Sequence, residues 1–423
     1  MASSFRAVKG MNDVLPGEIA RWHRLEALFR RAMALTGYRE VRTPFVEDKG
    51  LFVRTIGEVT DVVEKEMYAF SRHHDELALR PEGTAGAVRA YVEHKVQNRE
   101  PVSRWYYLGP MFRAERPQAG RYRQFWQYGA ECFGDAGPGT DAEMIAELAA
   151  FLRDAGVTSP RVLVNSIGGK GTRVAYAEAI RAYLEPKRAT LSEESQKRLE
   201  KNPLRILDSK APEDHTALEG APRLEDVLDD ADKAHFSNLL EHLTALAVPF
   251  EVDPKLVRGL DYYTRTLFEI KGAKEKLGAG DTLIGGGRYD GMVEELGGPS
   301  VPAIGFAGGL ERLLIATDDS PVEPHVTCFV APLGTGTTSA ALSLARELRA
   351  AGIATEVDTR GATLKAMLRR ASGLAAPYAL LLGESELADG VVEVKDLAAH
   401  TQEKVPRGAL VAHLSARLAG ATS

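Results

Sequence analysis

The sequence predicts a mixed α and β protein: a sheet-bearing domain interrupted by a helical insertion, followed by a small α/β domain. Three observations predict it. Tyr106 to Phe133, YYLGPMFRAERPQAGRYRQFWQYGAECF, reads as two strands joined by a charged loop. From about residue 165 to 252 the chain turns rich in Glu, Lys, Ala and Leu at helical spacing. From Val326 onward, strand-like and helix-like runs alternate, as they do in parallel α/β units.

With 423 residues the chain has room for two or three domains and a sizeable core. Hydrophobic residues make up 44% and charged residues 26%, the balance of a soluble globular protein. No apolar run approaches the roughly 20 residues of a membrane span, and MASSFRAVKGMNDVLPGE lacks the apolar core of a secretory signal. The expected location is therefore the cytoplasm. Cys132 and Cys328 stand 196 positions apart without a CxxC pair, which suggests neither a disulfide framework nor a cysteine zinc site. The net charge of −6 neither demands nor excludes a nucleic acid, because a local basic surface binds phosphates within an acidic protein.

In chain order, Ile19, Trp22, Leu25, Leu28, Phe29, Ala32 and Leu35 recur at helical spacing after Pro16, predicting a helix over 17–36 closed by Gly37. A strand is expected over Tyr38 to Val46, and Pro44 confines it to an edge or bulge. Such an edge suits a subunit contact or is simply an edge strand. Leu77 to Thr84, LALRPEGT, reads as a strand delivering Arg80, Glu82 and Thr84 to its end, ahead of a helix over Ala85 to Lys95. A carboxylate there holds a ligand ammonium or caps that helix.

The central hairpin carries the densest chemistry. Tyr106 to Phe112 is an apolar run that Gly109-Pro110 should bend near its end. The loop from Arg113 to Arg123 bears Arg113, Arg116, Arg121 and Arg123 beside Glu115, Pro117 and Gly120. Gln124 to Phe133 then alternates: Phe125, Gln127, Gly129, Glu131 and Phe133 share one face, while Gln124, Trp126, Tyr128, Ala130 and Cys132 share a core-like one. Guanidinium groups in the loop and an amide and a carboxylate on the first face could hold a polyphosphate and a small polar ligand together. A solvated hairpin with a charged tip has the same composition.

Helical runs are expected over 173–184, 191–200 and 224–247, as an insertion between two halves of a sheet domain. GGKG at 168–171 lacks P-loop spacing. Sheet character resumes in LVRGLDYYTRTLFEI, where Arg258 precedes Gly259 and lies near Asp261, Tyr262 and Tyr263. Ile284 to Met292, IGGGRYDGM, has three glycines in a row, a sign of close backbone packing. Ala303 to Ile315, AIGFAGGLERLLI, runs from strand to helix with Arg312 in the first turns. There it suits a phosphate or a stacked base, or is a solvated helix arginine. The acidic linker Thr317 to His325 marks the domain boundary. Beyond it, strands at 326–332, 353–357 and 378–383 and helices at 338–351 and near 363–372 predict a small domain with parallel strands. Within it, Gly334, Gly336 and Asp358 approach a dinucleotide fingerprint, but Ser339 stands at the third glycine and too little chain follows for a second half. Lys365, Arg369 and Arg370 form the domain's one basic cluster, facing RNA or only solvent.

Together these stretches resemble the histidyl-tRNA synthetases, class II aminoacyl-tRNA synthetases, over essentially the whole chain. The segment with Pro44 is similar to class II motif 1, FRAERPQAGRYRQFWQ to motif 2 in its histidyl form, and GFAGGLER to motif 3, with Ala307 where the class pattern has glycine. LVRGLDYY and GGGRYDGM look like the two signatures of the histidine enzymes; RPEGT and NPLRILDSK are also family-like. The resemblance implies an α+β catalytic domain over 1–324 built on an antiparallel sheet, a helical insertion at about 170–252, and an α/β anticodon-binding domain over 325–423, in a homodimer. It implies activation of L-histidine by ATP with Mg²⁺ as a substrate complex, then transfer of the histidyl group to the 3′ end of histidine tRNA. No resident metal or prosthetic group is expected.

Carried over residue by residue, the resemblance makes Arg113, Gln127 and Arg258 catalytic, with Arg113 bridging carboxylate and α-phosphate and Arg258 acting from the other side. Glu115, Arg121, Phe125 and Arg312 would join Arg113 around ATP, with adenine between Phe125 and Arg312. Glu82 and Thr84 would hold the ammonium and Gln127 the carboxylate end. Glu131 and Tyr263 would meet the imidazole, and Tyr262 would line the pocket. Two rivals remain: a regulatory-subunit paralogue of ATP phosphoribosyltransferase, expected to lack the anticodon-binding domain, and a dinucleotide enzyme using the 334–358 segment.

Overall fold

The computed structural model describes residues 5–57, 60, 62–254, 256, 262–273, 277, 280–317 and 325–421. The chain divides into two compact units, Met1–Ser320 and Pro321–Ser423.

In the first unit, α1 (Pro16–Leu35) leads to the short strands β1 (Arg39–Glu40) and β2 (Val46–Asp48), then α2 (Lys49–Ile56), β3 (Ala69–Arg72), β4 (Asp75–Leu79) and α3 (Thr84–Glu93). The hairpin β5 (Ser103–Phe112) and β6 (Gln124–Phe133) follows, with α4 (Pro138–Asp154) and β7 (Arg161–Ser166) after it. Next come α5 (Lys170–Leu184), α6 (Glu193–Lys201), α7 (Pro212–Ala217), α8 (Asp230–Ala245) and β8 (Phe250–Val252). The unit ends with β9 (Thr264–Lys271), β10 (Thr282–Arg288), α9 (Met292–Glu295), β11 (Ala303–Gly309) and α10 (Leu310–Ala316).

Eight strands form one sheet in the order β1-β5-β6-β11-β10-β9-β7-β8, and β2-β4-β3 form a small second sheet. The large sheet is antiparallel from β5 through β7 and parallel only at its two rims, β1 on β5 and β8 on β7. Alternation along β6 sends Tyr128, Ala130 and Cys132 into a core shared with α1, α4 and α8. Phe29 of α1 is its hub, with ring centroids 5.1 Å from Tyr128 and 5.7 Å from both Tyr106 and Phe151. Edge-to-face and tilted contacts of this kind add to the burial of the rings.

Two local expectations differ. The strand expected over 38–46 is two fragments in different sheets. Between them Pro44 interrupts the ladder, and Arg80 replaces it: its guanidinium donates to the Thr43 carbonyl at 2.9 Å and to the Pro110 carbonyl at 3.0 Å. Nor does Gly109-Pro110 bend its strand, because β5 stays in register with β6 through Phe112↔Gln124. Gly109 serves another purpose there, since a Cβ on it would lie 2.7 Å from Arg80 Nη2.

The helical stretch has two loyalties. Residues from α5, α6 and α7 bury a small cluster of their own around Ile180, Leu184, Leu199 and Ile206. By contrast, Leu239 and Leu243 of α8 belong to the core beneath the large sheet, and β8 extends that sheet.

The second unit contains β12 (Cys328–Leu333), α11 (Thr337–Ala350), β13 (Thr355–Val357), α12 (Leu364–Gly373), β14 (Tyr378–Gly383), α13 (Glu384–Ala388), β15 (Val391–Asp396), β16 (Thr401–Pro406) and α14 (Leu410–Ala421). Its sheet runs β13-β12-β14-β15-β16. The first three strands are parallel as expected; β15 and β16 are antiparallel additions. No helix among the described residues is long and apolar enough to cross a membrane.

Candidate active site

On the sheet face opposite the α1 core, one patch across β6, β11 and β10 is cleared of large side chains. Across three neighbouring strands, register places Glu131 beside Gly305 and Gly305 beside Gly287, then Gly129 beside Ala307 and Ala307 beside Gly285. A floor of glycine and alanine lets a ligand approach backbone closely. Above it lies a cavity of about 300 Å³, walled by the ends of β6, β9, β10 and β11, the β5–β6 loop and the turn before α3.

Into this cavity the structure brings Glu82, Thr84, Arg113, Glu115, Arg121, Phe125, Gln127, Tyr262, Tyr263 and Arg312. Arg258 lies outside the described residues. Glu131 is not on the cavity wall. It is fully buried beside Gly305 on the same sheet face, where Tyr107 and Tyr289 donate their hydroxyls to its two oxygens, Tyr107 at 3.1 Å. Only the missing side chain of Gly305 leaves room for it, since a Cβ there would lie 1.6 Å from Glu131 Oε2.

At the cavity end near α3, Glu82 is buried and accepts from two backbone N–H groups at the helix start, Thr84 at 2.8 Å and Ala85 at 2.7 Å. The helix-capping reading of this carboxylate is therefore realised. Gly83 N donates to Gln127 Oε1 at 2.9 Å, which fixes the amide oxygen toward α3 and leaves the amide nitrogen for another partner. Tyr262 stacks obliquely on Tyr263 with centroids 4.6 Å apart, and meets Tyr289 at 5.7 Å.

The other end is cationic. Arg113 donates to the Pro81 carbonyl at 2.9 Å and lies 5.4 Å from the centroid of Phe125. Arg312 donates to the Thr282 carbonyl at 2.8 Å, while its Nη2 is buried without a hydrogen-bond partner. Arg121 and Arg312 both lie close to Gly280, whose Cβ would stand 3.3 Å from Arg121 Nη2 and 3.6 Å from Arg312 Nη1. Two neighbouring guanidinium groups, one with an orphan donor, make a site suited to an anion.

Burial sets the electrostatics. It pushes the Glu131 carboxyl up to about 8, against the tyrosine hydroxyls that favour the charged form. Burial likewise raises Glu82, opposed by the N–H groups of Ala85 and Thr84. The hydroxyls of Tyr107, Tyr262 and Tyr289 are raised well above the ordinary phenol value, first by burial and then by neighbouring ionisable groups. Arg312 is lowered, first by burial and then by the adjacent Arg121.

Reading the sequence missed Tyr107, Tyr289, Glu269 and the steric role of Gly305. Tyr107 hides in an aromatic run that looks like core, although it shares the period-two face of Gly109. Tyr289 comes two positions after the three glycines, behind Arg288, and that nearness was its signal. Glu269 lines the cavity and accepts from the Thr282 hydroxyl at 3.0 Å.

An antiparallel sheet backing an arginine-loop hairpin and a strand-to-helix motif, with a separate α/β unit after it, defines a class II aminoacyl-tRNA synthetase fold. The family model described as Histidyl-tRNA synthetase matches residues 10–313, and that described as Anticodon binding domain matches 327–417. A histidine–tRNA ligase of Sorangium cellulosum is 58% identical over 401 residues, covering 95% of this chain and 94% of that one. Another, of Anaeromyxobacter dehalogenans, is 48% identical over 418 residues, covering 98% and 99%. The crystal structure of apo S. aureus histidyl-tRNA synthetase aligns with a TM-score of 0.83 at 34% identity, covering 97% of this chain and all of that one. The chain belongs to the histidyl-tRNA synthetase family. The regulatory-subunit rival is not favoured, since the curated relatives are ligases and the anticodon-binding model matches the C-terminal unit.

Proposed function

We propose that this protein is a histidine–tRNA ligase that condenses L-histidine with ATP to histidyl-adenylate and transfers the histidyl group to histidine tRNA. One observation carries the reading: a single cavity has buried carboxylates at one end and converging arginines at the other. A zwitterionic amino acid and a polyphosphate need those two environments side by side.

In this reading Arg113 spans the two ends, bonding the histidine carboxylate and the α-phosphate as they approach. Positioning and charge neutralisation are what a loose phosphoryl-transfer transition state requires. Arg258 acts on the same phosphate from the opposite side. Arg121 and Arg312 hold the distal phosphates of the Mg²⁺·ATP substrate, and adenine stacks on Phe125 and Arg312 beside Glu115. Gln127, its oxygen already engaged, turns its amide nitrogen to the carboxylate. Glu82 and Thr84 receive the ammonium. The imidazole meets Tyr263 and Glu131 beside Gly305, with Tyr262 lining the wall. A site that hydrogen-bonds both ring nitrogens discriminates by up to ~10⁴-fold without editing.

The two compact units correspond in this reading to a catalytic domain over 1–324 and an anticodon-binding domain over 325–423, working as a cytoplasmic homodimer. The test is ATP–pyrophosphate exchange with each amino acid in turn. Exchange with histidine alone supports the assignment. Absence of exchange from folded, dimeric protein overturns it.

A further inference from the structure

The root of the helical insertion grips the strand that carries Tyr263. β9 enters the sheet irregularly: Leu267 pairs with Gly287, but the next pair is Thr264 with Arg288. Extra residues therefore bulge out, and a bulge re-aims the side chains beside it. Within it, Arg265 has a φ of 50°, a left-handed conformation that residues with a side chain rarely adopt. Such a shape persists where its surroundings hold it.

The insertion's two ends supply those surroundings. The Arg265 N–H donates to the Gly168 carbonyl at 2.6 Å, and the Arg265 carbonyl accepts from Ile167 N at 2.8 Å. Its side chain donates through Nε to Asp232 Oδ1 at 3.1 Å. Asp232 lies in the first turn of α8, where the insertion returns. Its other oxygen accepts from Gly169 N and Thr172 Oγ1, both at 2.6 Å, where α5 leaves. One carboxylate thus ties the outgoing helix, the returning helix and the bulge. The next residue of α5, Arg173, donates through Nη1 to the carbonyl of Tyr263 at 3.0 Å. The ring of Tyr263 lines the cavity and packs over Gly287, whose Cβ would lie 2.9 Å from Tyr263 Cδ1.

We propose that Arg173, Asp232 and Arg265 are positioning residues through which the seat of the insertion sets the Tyr263 edge of the cavity, and with it the affinity for the amino acid. The proposal rests on the histidine-and-ATP reading of the cavity. It predicts a one-sided effect, because the ATP end is anchored separately, Arg312 to Thr282 of β10 and Arg113 to Pro81.

The experiment compares full-length wild type with Arg173→Ala, Arg173→Lys and Asp232→Asn. KM values for histidine and for ATP are measured in pyrophosphate exchange, alongside Tm and amide hydrogen exchange over residues 262–267. Arg173→Ala should raise KM for histidine about tenfold, the scale of one lost charge-assisted hydrogen bond, with KM for ATP within about twofold. Arg173→Lys, which keeps one donor, should recover part of the loss. Amide exchange over 262–267 should quicken in Arg173→Ala and in Asp232→Asn. Equal changes in both KM values with a lowered Tm and no rescue by lysine would reduce the joint to a fold-stabilising contact and overturn the proposal. Unaltered amide exchange in a folded Arg173→Ala protein overturns it as well. If wild type shows no histidine-dependent exchange, the functional reading fails, and the amide-exchange result still decides whether the joint holds the bulge.

Discussion

Gly305→Ala tests the floor of the cavity most directly. The added methyl would stand 1.6 Å from Glu131 Oε2, 2.7 Å from its Cδ and 2.8 Å from the backbone oxygen of Ala130. Ordinary van der Waals contact begins at 3.4 Å, so the carboxylate must shift by nearly 2 Å. Its buried place offers no such slack, because Tyr107 and Tyr289 hold both oxygens. Once bound histidine has ionised the carboxyl, each hydrogen bond to it is worth about 1.5–3 kcal/mol. Losing one puts the imidazole end out of order by about 2 kcal/mol, and losing both by about 4. In KM for histidine that is roughly thirtyfold to a thousandfold, at ~1.4 kcal/mol per tenfold.

The assay is pyrophosphate exchange with histidine varied at saturating ATP, with Tm measured on the same preparations. The expected result is a rise in KM for histidine within that range and a lower Tm, with KM for ATP nearly unaltered. The double variant Gly305→Ala/Glu131→Ala removes the clash with the carboxylate, leaving the 2.8 Å approach to the Ala130 backbone oxygen, and does not restore the carboxylate. It should regain part of the Tm while KM for histidine stays high. If Gly305→Ala binds histidine as wild type does, or the double variant recovers affinity together with Tm, Glu131 has no part in recognition and the reasoning is refuted.

Two further outcomes are expected. Arg258→Ala should abolish adenylate formation while tRNA binding in a filter assay persists; near-normal pyrophosphate exchange would remove Arg258 from the mechanism. Glu311, in the first turn of α10, is buried and accepts from the backbone N–H of Trp126 at 2.9 Å. Burial raises its carboxyl from 4.5 to about 7. Through that window the folded state holds a proton that the unfolded state releases, so the group favours folding at low pH and loses that contribution as pH rises through about 7. Glu311→Gln keeps the acceptor without the charge, so its unfolding free energy should gain on wild type between pH 5 and pH 8, by an amount of order 1 kcal/mol or more. A pH-independent difference would show that Glu311 is not held neutral.

What could be read from the chain depended on how each residue acts. β6 was legible to the residue, Gln124 to Phe133, because a strand with one core face and one site face alternates by necessity. Charged groups in contiguous stretches were legible too: Arg113, Glu115 and Arg121 in one loop and Arg312 after its glycines all reach one cavity. Residues that act through an absent side chain were not. Gly305 and Gly285 look like ordinary packing glycines until the register puts Glu131 beside one and Glu269 beside the other. β15 and β16 escaped for a different reason. β15 buries only Val392 and Val394, and β16 only Val405, so their apolar signal is too thin to mark strands. Arg80, expected at the strand end with Glu82 and Thr84, is held by the Thr43 and Pro110 carbonyls and completes the backbone hydrogen bonding that Pro44 interrupts.

The buried carboxylates give the histidine site a proton signature. With its carboxyl near 8, empty protein at pH 7 keeps Glu131 mostly protonated. An imidazole N–H donated toward this layer favours the carboxylate, so neutral imidazole binding must release a proton from the site. The released number should approach one per site near pH 7 and fall toward zero above about pH 9. Over the same range below pH 8, Kd for histidine should fall by up to about tenfold per pH unit. If histidine instead bound as imidazolium, the proton would pass from Glu131 to the ligand and the net release would vanish. Titration calorimetry at pH 7 in two buffers of different ionisation enthalpy separates these cases, because only net proton release makes the apparent enthalpy depend on the buffer. Buffer-dependent heats with release near one support a neutral imidazole over a carboxylate that ionises on binding. Buffer-independent heats would mean that Glu131 keeps its proton or hands it to the ligand, and that Tyr263 and the tyrosine layer, rather than a carboxylate charge, recognise the ring.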